Sequence, residues 1–119
     1  MDVANLERAD AFTTADGSTI RELFGPATTN AANQSLAEAT LAPNQSTQRH
    51  YHRRAEEIYY ITHGAGHMEI DGVERDVAPG DAILIPPGAW HQITATSAEP
   101  LRLLCCCSPP YSHDDTYFA

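Results

Sequence analysis

The stretch RHYHRRAEEIYYITHG, residues 49–64, sets His50 and His52 two apart and follows them with Glu56 and Glu57. Imidazole and carboxylate are the donors that hold divalent transition metals, and both also carry protons. In an extended chain, residues two apart point to one side. Gln48, His50 and His52 therefore share a face. If that face is interior, three polar side chains enter a core and must be satisfied there. Coordination of a metal would satisfy them. A further histidine, His91, follows in GDAILIPPGAWHQITA, residues 80–95.

The elements that must position these residues read as short strands. STQRHYH is a polar strand, and EIYYITHG is rich in β-branched and aromatic residues and stops at Gly64. In GHMEIDGVERDV, Asp71-Gly72 lies between two alternating runs, a strong signal for a two-residue hairpin. DAILIPPG, WHQITAT and LRLLCCC supply three more strands. Upstream, STIRELFGP reads as a strand ending at Gly25-Pro26, TTNAANQ as a loop and SLAEATLAP as a strand. The tail SPPYSHDDTYFA cannot continue a strand through Pro109-Pro110. Short strands at ~8–12-residue spacing predict an all-β sandwich or barrel.

HYHRRAEEIYYITHG fits His-x-His-x4-Glu-x6-Gly and resembles the first motif of the cupins. This register selects Glu57 over Glu56. GDAILIPPGAWHQITA is similar to the second cupin motif, Gly-x5-Pro-x-Gly-x2-His-x3-Asn, through Gly80, Pro86, Gly88 and His91. Only the closing asparagine departs, since Ala95 stands there. The resemblance implies an antiparallel jelly-roll β-barrel and one divalent transition metal held by His50, His52, Glu57 and His91. Fe(II) is favoured, and Mn, Co, Ni, Cu or Zn would suit the same donors. Four ligands leave two positions of an octahedron for substrate or dioxygen. The fold hosts many reactions. An oxygen-dependent, dioxygenase-type enzyme is the favoured expectation; a non-oxidative isomerase, cyclase or lyase and a non-catalytic binding module are the alternatives.

Alternation extends the site. Tyr59 and Ile61 share the side of Glu57, and Ile93 and Ala95 share the side of His91. Gln48, Tyr59, Ile61 and Ile93 are thus expected against substrate. Tyr59 or His113, the latter from a tail folding over the barrel mouth, is expected to move protons. His67 and Glu69 belong to the outer face, His63 to a turn, and Arg53 and Arg54 to solvent. The consecutive Cys105, Cys106 and Cys107 lack metal-type spacing, so they are expected to pack as small apolar residues in a reducing compartment.

Composition excludes whole classes of function. The chain has 119 residues, 42% of them hydrophobic, enough for one core. Its net charge of −9 argues against a nucleic-acid or anionic-membrane partner. All seven basic residues are arginine, so no Schiff-base lysine exists. No signal-like or membrane-spanning run is apparent, and the expected location is cytoplasmic. Residues 1–119 read as one domain, with an arm over 1–28, a motif-bearing core over 45–107 and a tail over 108–119. With no arginine assigned to the interior, the expected partner is a small neutral or mono-anionic molecule. Exposed sheet edges and apolar outer faces, together with the resemblance, point to a homodimer.

Overall fold

Along Glu56–His63 side chains alternate: Glu57, Tyr59 and Ile61 are buried, while Glu56, Ile58 and Tyr60 face outward. The same period of two buries His91, Ile93 and Ala95 in the strand His91–Ala95. Alternating strands of this kind bury one face each and need a second layer against it. A computed structural model, describing residues 1–26 and 28–119, shows how that layer is provided.

In chain order the strands are β1 (Ala11–Thr13), β2 (Thr19–Phe24), β3 (Ser35–Leu41), β4 (His50–His52), β5 (Glu56–His63), β6 (Gly66–Ile70), β7 (Val73–Val77), β8 (Ala82–Ile85), β9 (His91–Ala95), β10 (Leu101–Ser108) and β11 (Thr116–Phe118). Six form one sheet in the order β1-β2-β3-β10-β5-β8. Five form the other in the order β11-β4-β9-β6-β7. All strand pairs are antiparallel. The expected antiparallel barrel of jelly-roll type is what forms. Leu41, Ile61, Ile85, Ile93, Leu101 and Leu103 fill the space between the sheets, each at most 2% exposed. Burying a side chain of this size stabilises the fold by roughly 1.5–3 kcal/mol. No helix among the described residues is long and apolar enough to cross a membrane.

Two local features fix the register of the site. At the β6–β7 hairpin, Asp71 and Gly72 take φ of 48° and 86°, the left-handed pair that a tight hairpin requires. Gly64, which ends β5, has φ 73°, and a Cβ there would lie 2.5 Å from the Pro100 carbonyl oxygen. Only glycine lets β5 turn against the start of β10 at this point.

One expectation about the elements needs correction. STQRHYH is not one strand: only His50–His52 is, with an isolated bridge from Ser46 to Thr94. The Gln48 amide instead donates to the Asp16 carbonyl at 2.8 Å, which holds that residue out of the ladder. As expected, β10 stops at Ser108, ahead of Pro109-Pro110, and the tail forms a separate strand beyond them. Beyond the 3-10 turn His113–Asp115, β11 pairs with β4 and becomes the edge of the smaller sheet. The arm expected over 1–28 includes Ala27, which lies outside the described residues; its described part supplies β1 and β2.

Candidate metal centre

β4 presents His50 and His52 to the interior from alternate positions, and β9 brings His91 opposite His50 in register. All three are buried, at 3%, 4% and 0% exposure. Their ring centroids are 4.2 Å (His50–His91), 5.1 Å (His50–His52) and 5.5 Å (His52–His91) apart. One nitrogen from each lies within 4.8 Å of the others, a spacing that can hold one ion.

Each Nδ1 is already engaged. His50 Nδ1 meets the Gln48 carbonyl at 2.6 Å and His91 Nδ1 the Ala89 carbonyl at 3.0 Å. A carbonyl only accepts, so we assign the ring hydrogen to Nδ1 in both. His52 Nδ1 meets Thr116 Oγ1 at 3.0 Å while that hydroxyl donates to the Ser112 carbonyl, which assigns His52 the same tautomer. Three Nε2 lone pairs therefore point into one space. Glu57 Oε1 enters that space from β5, 3.2 Å from His52 Nε2 and 3.5 Å from His91 Nε2. Glu57 Oε1 and His91 Nε2 are buried without a hydrogen-bond partner among the described residues. Lone pairs and a carboxylate this close repel one another unless a cation lies between them. The residues fit a divalent metal.

Charge states agree with that fit. Burial raises the Glu57 carboxyl, but the His52 and His91 rings, when they carry a proton on Nε2 and donate it to Oε1, outweigh burial and hold the carboxyl at about 2. Glu57 is an anion at neutral pH. Burial, then the neighbouring His91, lower His50, against the pull of the Gln48 carbonyl. His50 is thus a neutral ligand, as metal binding needs. Glu57 Oε2 accepts from the Cys107 thiol at 3.1 Å. Burial and then the Glu57 charge push up both Cys107 and Tyr59, so the thiol and the phenol keep their protons.

A cavity that opens to solvent adjoins these ligands. Tyr59, Ile93, Leu103 and Cys105 form part of its wall, and Phe12 and Ile20 reach in from the β1–β2 hairpin. Its charged lining residues besides Glu57 are Asp16 and Glu22; neither arginine nor lysine lines it among the described residues.

Of the residues expected against substrate, Tyr59 and Ile93 line the cavity. Ile61 faces the same side but is buried in the core and does not line the cavity. Gln48 is exposed, and its contribution is the main-chain carbonyl on His50 rather than a side chain toward substrate. His113 is exposed on its 3-10 turn and does not line the cavity. From the same tail Tyr111 does so, packing edge-on to His52 at 5.8 Å. His67 binds Asp76 and Glu74 on the outer face, and Glu69 binds Arg49. His63, Arg53 and Arg54 are exposed.

Sequence reasoning missed Asp16, Tyr111 and Thr116. For Cys105 and Cys107 a signal existed. They alternate with Leu101 and Leu103, and register sets them opposite Tyr59 and Glu57.

An antiparallel two-sheet barrel with three inward imidazoles and one carboxylate defines a class of barrel proteins whose interior could hold a metal ion. The chain matches the family model described as Cupin domain over residues 37–107 and belongs to that family. Protein MJ1618 of Methanocaldococcus jannaschii is 44% identical over 110 residues, covering 92% of this chain and 88% of that one. Tetracenomycin polyketide synthase protein TcmJ of Streptomyces glaucescens is 27% identical over 78% of this chain, which spans 62% of TcmJ's length. Among solved structures, the polyketide cyclase RemF from Streptomyces resistomycificus has TM-score 0.79 and 25% identity, covering 97% of this chain and 89% of RemF. Pac13, a Streptomyces nucleoside dehydratase, has TM-score 0.82 at 13% identity, covering 100% of this chain and 91% of Pac13. At that identity the likeness is one of fold.

Proposed function

We propose that the protein is a metal-dependent enzyme acting on a small, uncharged organic molecule with an apolar body, in a redox-neutral reaction such as cyclisation or loss of water. The observation that carries the metal half is the convergence of three unprotonated Nε2 atoms on the partnerless Glu57 Oε1. His50, His52, Glu57 and His91 would hold Fe(II) or another divalent transition ion. Such an ion, when bound, polarises a substrate oxygen as a Lewis acid.

The chain's own residues supply the rest. Tyr59 is buried beside Glu57 with its phenol protonated, so it can donate a hydrogen bond or a proton to a substrate oxygen. Ile93, Leu103 and Phe12 exclude water from an apolar substrate. Asp16 and Glu22, with no arginine or lysine opposite, disfavour a dianion such as oxalate. RemF, a polyketide cyclase, offers a precedent for ring closure on this fold.

The oxygen-dependent reaction favoured from sequence is the second reading. The apolar wall supports it, and an octahedral ion held by His50, His52, Glu57 and His91 would keep two positions open. The test is turnover of uncharged poly-β-ketone compounds by metal-loaded protein, with dioxygen present and withheld. We expect products isomeric with substrate, or lighter by one water, without oxygen uptake. Oxygen uptake in step with product would overturn the redox-neutral reading.

A further inference from the structure

The segment Ser112–Ala119 lies beyond the span matched by the Cupin domain, yet it touches the metal centre from behind. β11 runs antiparallel to β4, with Thr116 opposite His52 and Phe118 opposite His50. Thr116 is 9% exposed. Its hydroxyl hydrogen goes to the Ser112 carbonyl at 2.8 Å, so what faces His52 Nδ1 at 3.0 Å is an acceptor lone pair. That acceptor places the ring hydrogen on Nδ1 and leaves Nε2 bare on the metal side.

Asp115, 5% exposed, fixes the turn that joins His52 to Glu57. Its carboxylate accepts from the Arg54 amide at 2.9 Å and the Ala55 amide at 3.0 Å, and its carbonyl from the Arg53 amide at 2.9 Å. Three consecutive amides between two ligands are thus tied to one tail residue.

His50 and His91 are oriented by main-chain carbonyls, which no side-chain substitution removes. His52 alone depends on a side chain, delivered from sixty-four residues away. We infer that Thr116 is a positioning residue for His52 and that the C-terminal segment completes the metal centre. The inference rests on the metal reading above for its consequence, but the orientation it describes is a property of the protein without metal.

The experiment therefore has two arms. In metal-free protein, 15N resonances of the imidazoles report the tautomer. We expect His52 as the Nδ1–H form in the wild type, a mixture of tautomers in Thr116→Val, and recovery in Thr116→Ser. In the second arm, Co(II) is titrated and its visible absorption followed. Thr116→Val should bind roughly 10–100-fold more weakly with an altered spectrum, and Thr116→Ser should restore both. Tyr117→Ala, on the exposed side of β11, should leave both arms unchanged. Should Thr116→Val not fold, Thr116→Ala serves in its place. An unchanged tautomer and Co(II) affinity on loss of the hydroxyl would overturn the inference, as would an equal loss in Tyr117→Ala. A hydroxyl-dependent tautomer in a protein that binds no Co(II) would support the positioning role and sink the metal reading.

Discussion

Glu57 is the residue on which the centre's electrostatics turn. Its carboxyl is held at about 2 in the fold against an ordinary 4.5. A carboxyl more acidic when folded than when unfolded binds fewer protons in the native state. The stability it confers is complete above pH 4.5 and lost as pH falls toward 2. His50, lowered by burial, acts in the same direction from its ordinary 6.5 downward. We predict that metal-free protein loses stability steadily below pH 6.5, and that the advantage of wild type over Glu57→Gln shrinks between pH 4.5 and 2. Thermal melts across that range check this; an advantage independent of pH would contradict it. Motif spacing made His50, His52, Glu57 and His91 legible in the sequence, and strand periodicity supported Glu57 and His91 alone. Gln48 was misread because periodicity holds only within a strand, and the chain at that residue bonds to the Asp16 carbonyl instead. Thr116 left no local trace, since its role exists only through a pairing sixty-four residues away.

At the scale of elements, two motif glycines carry unequal demands. Gly64 has φ 73° and its absent Cβ would overlap the Pro100 carbonyl oxygen, whereas Gly88 has φ 80° and open space around it. A left-handed backbone costs a residue with a Cβ roughly 1–2 kcal/mol. We predict that Gly88→Ala costs about that much and Gly64→Ala clearly more, because the β5–β10 approach must also open. Denaturant midpoints decide it, and equal losses would show that the contact at Pro100 yields freely. Strands with long alternation, β5, β6 and β9, were readable from sequence, as was the Asp71-Gly72 hairpin. β4 and β11, of three residues each, were not readable in extent. Runs that short carry no periodicity, and each is a strand only because the other, or β9, lies beside it.

The whole molecule leaves one face of its larger sheet uncovered. Ile58, Tyr60 and Leu84 are 43%, 44% and 56% exposed, and register sets Ile58 beside Leu84 and Cys106. A contiguous apolar patch on a sheet face marks an interaction surface. We propose a two-fold homodimer that covers this face and includes the N-terminal arm carrying the edge strand β1. Light scattering should give twice the 13.0 kDa chain mass; a concentration-independent mass of one chain would contradict it. The barrel as a whole was legible because alternation and turn chemistry agreed along most of the chain. The sides of the cavity built by the β1–β2 hairpin and by Tyr111 were not, because nothing local says which way an arm or tail folds. The account stands most directly on metal stoichiometry, measured by plasma mass spectrometry on purified wild type, His52→Ala and His91→Ala. It predicts one divalent transition ion per chain in the wild type and at least about a tenfold loss in each variant. Unchanged metal content in both variants would contradict it.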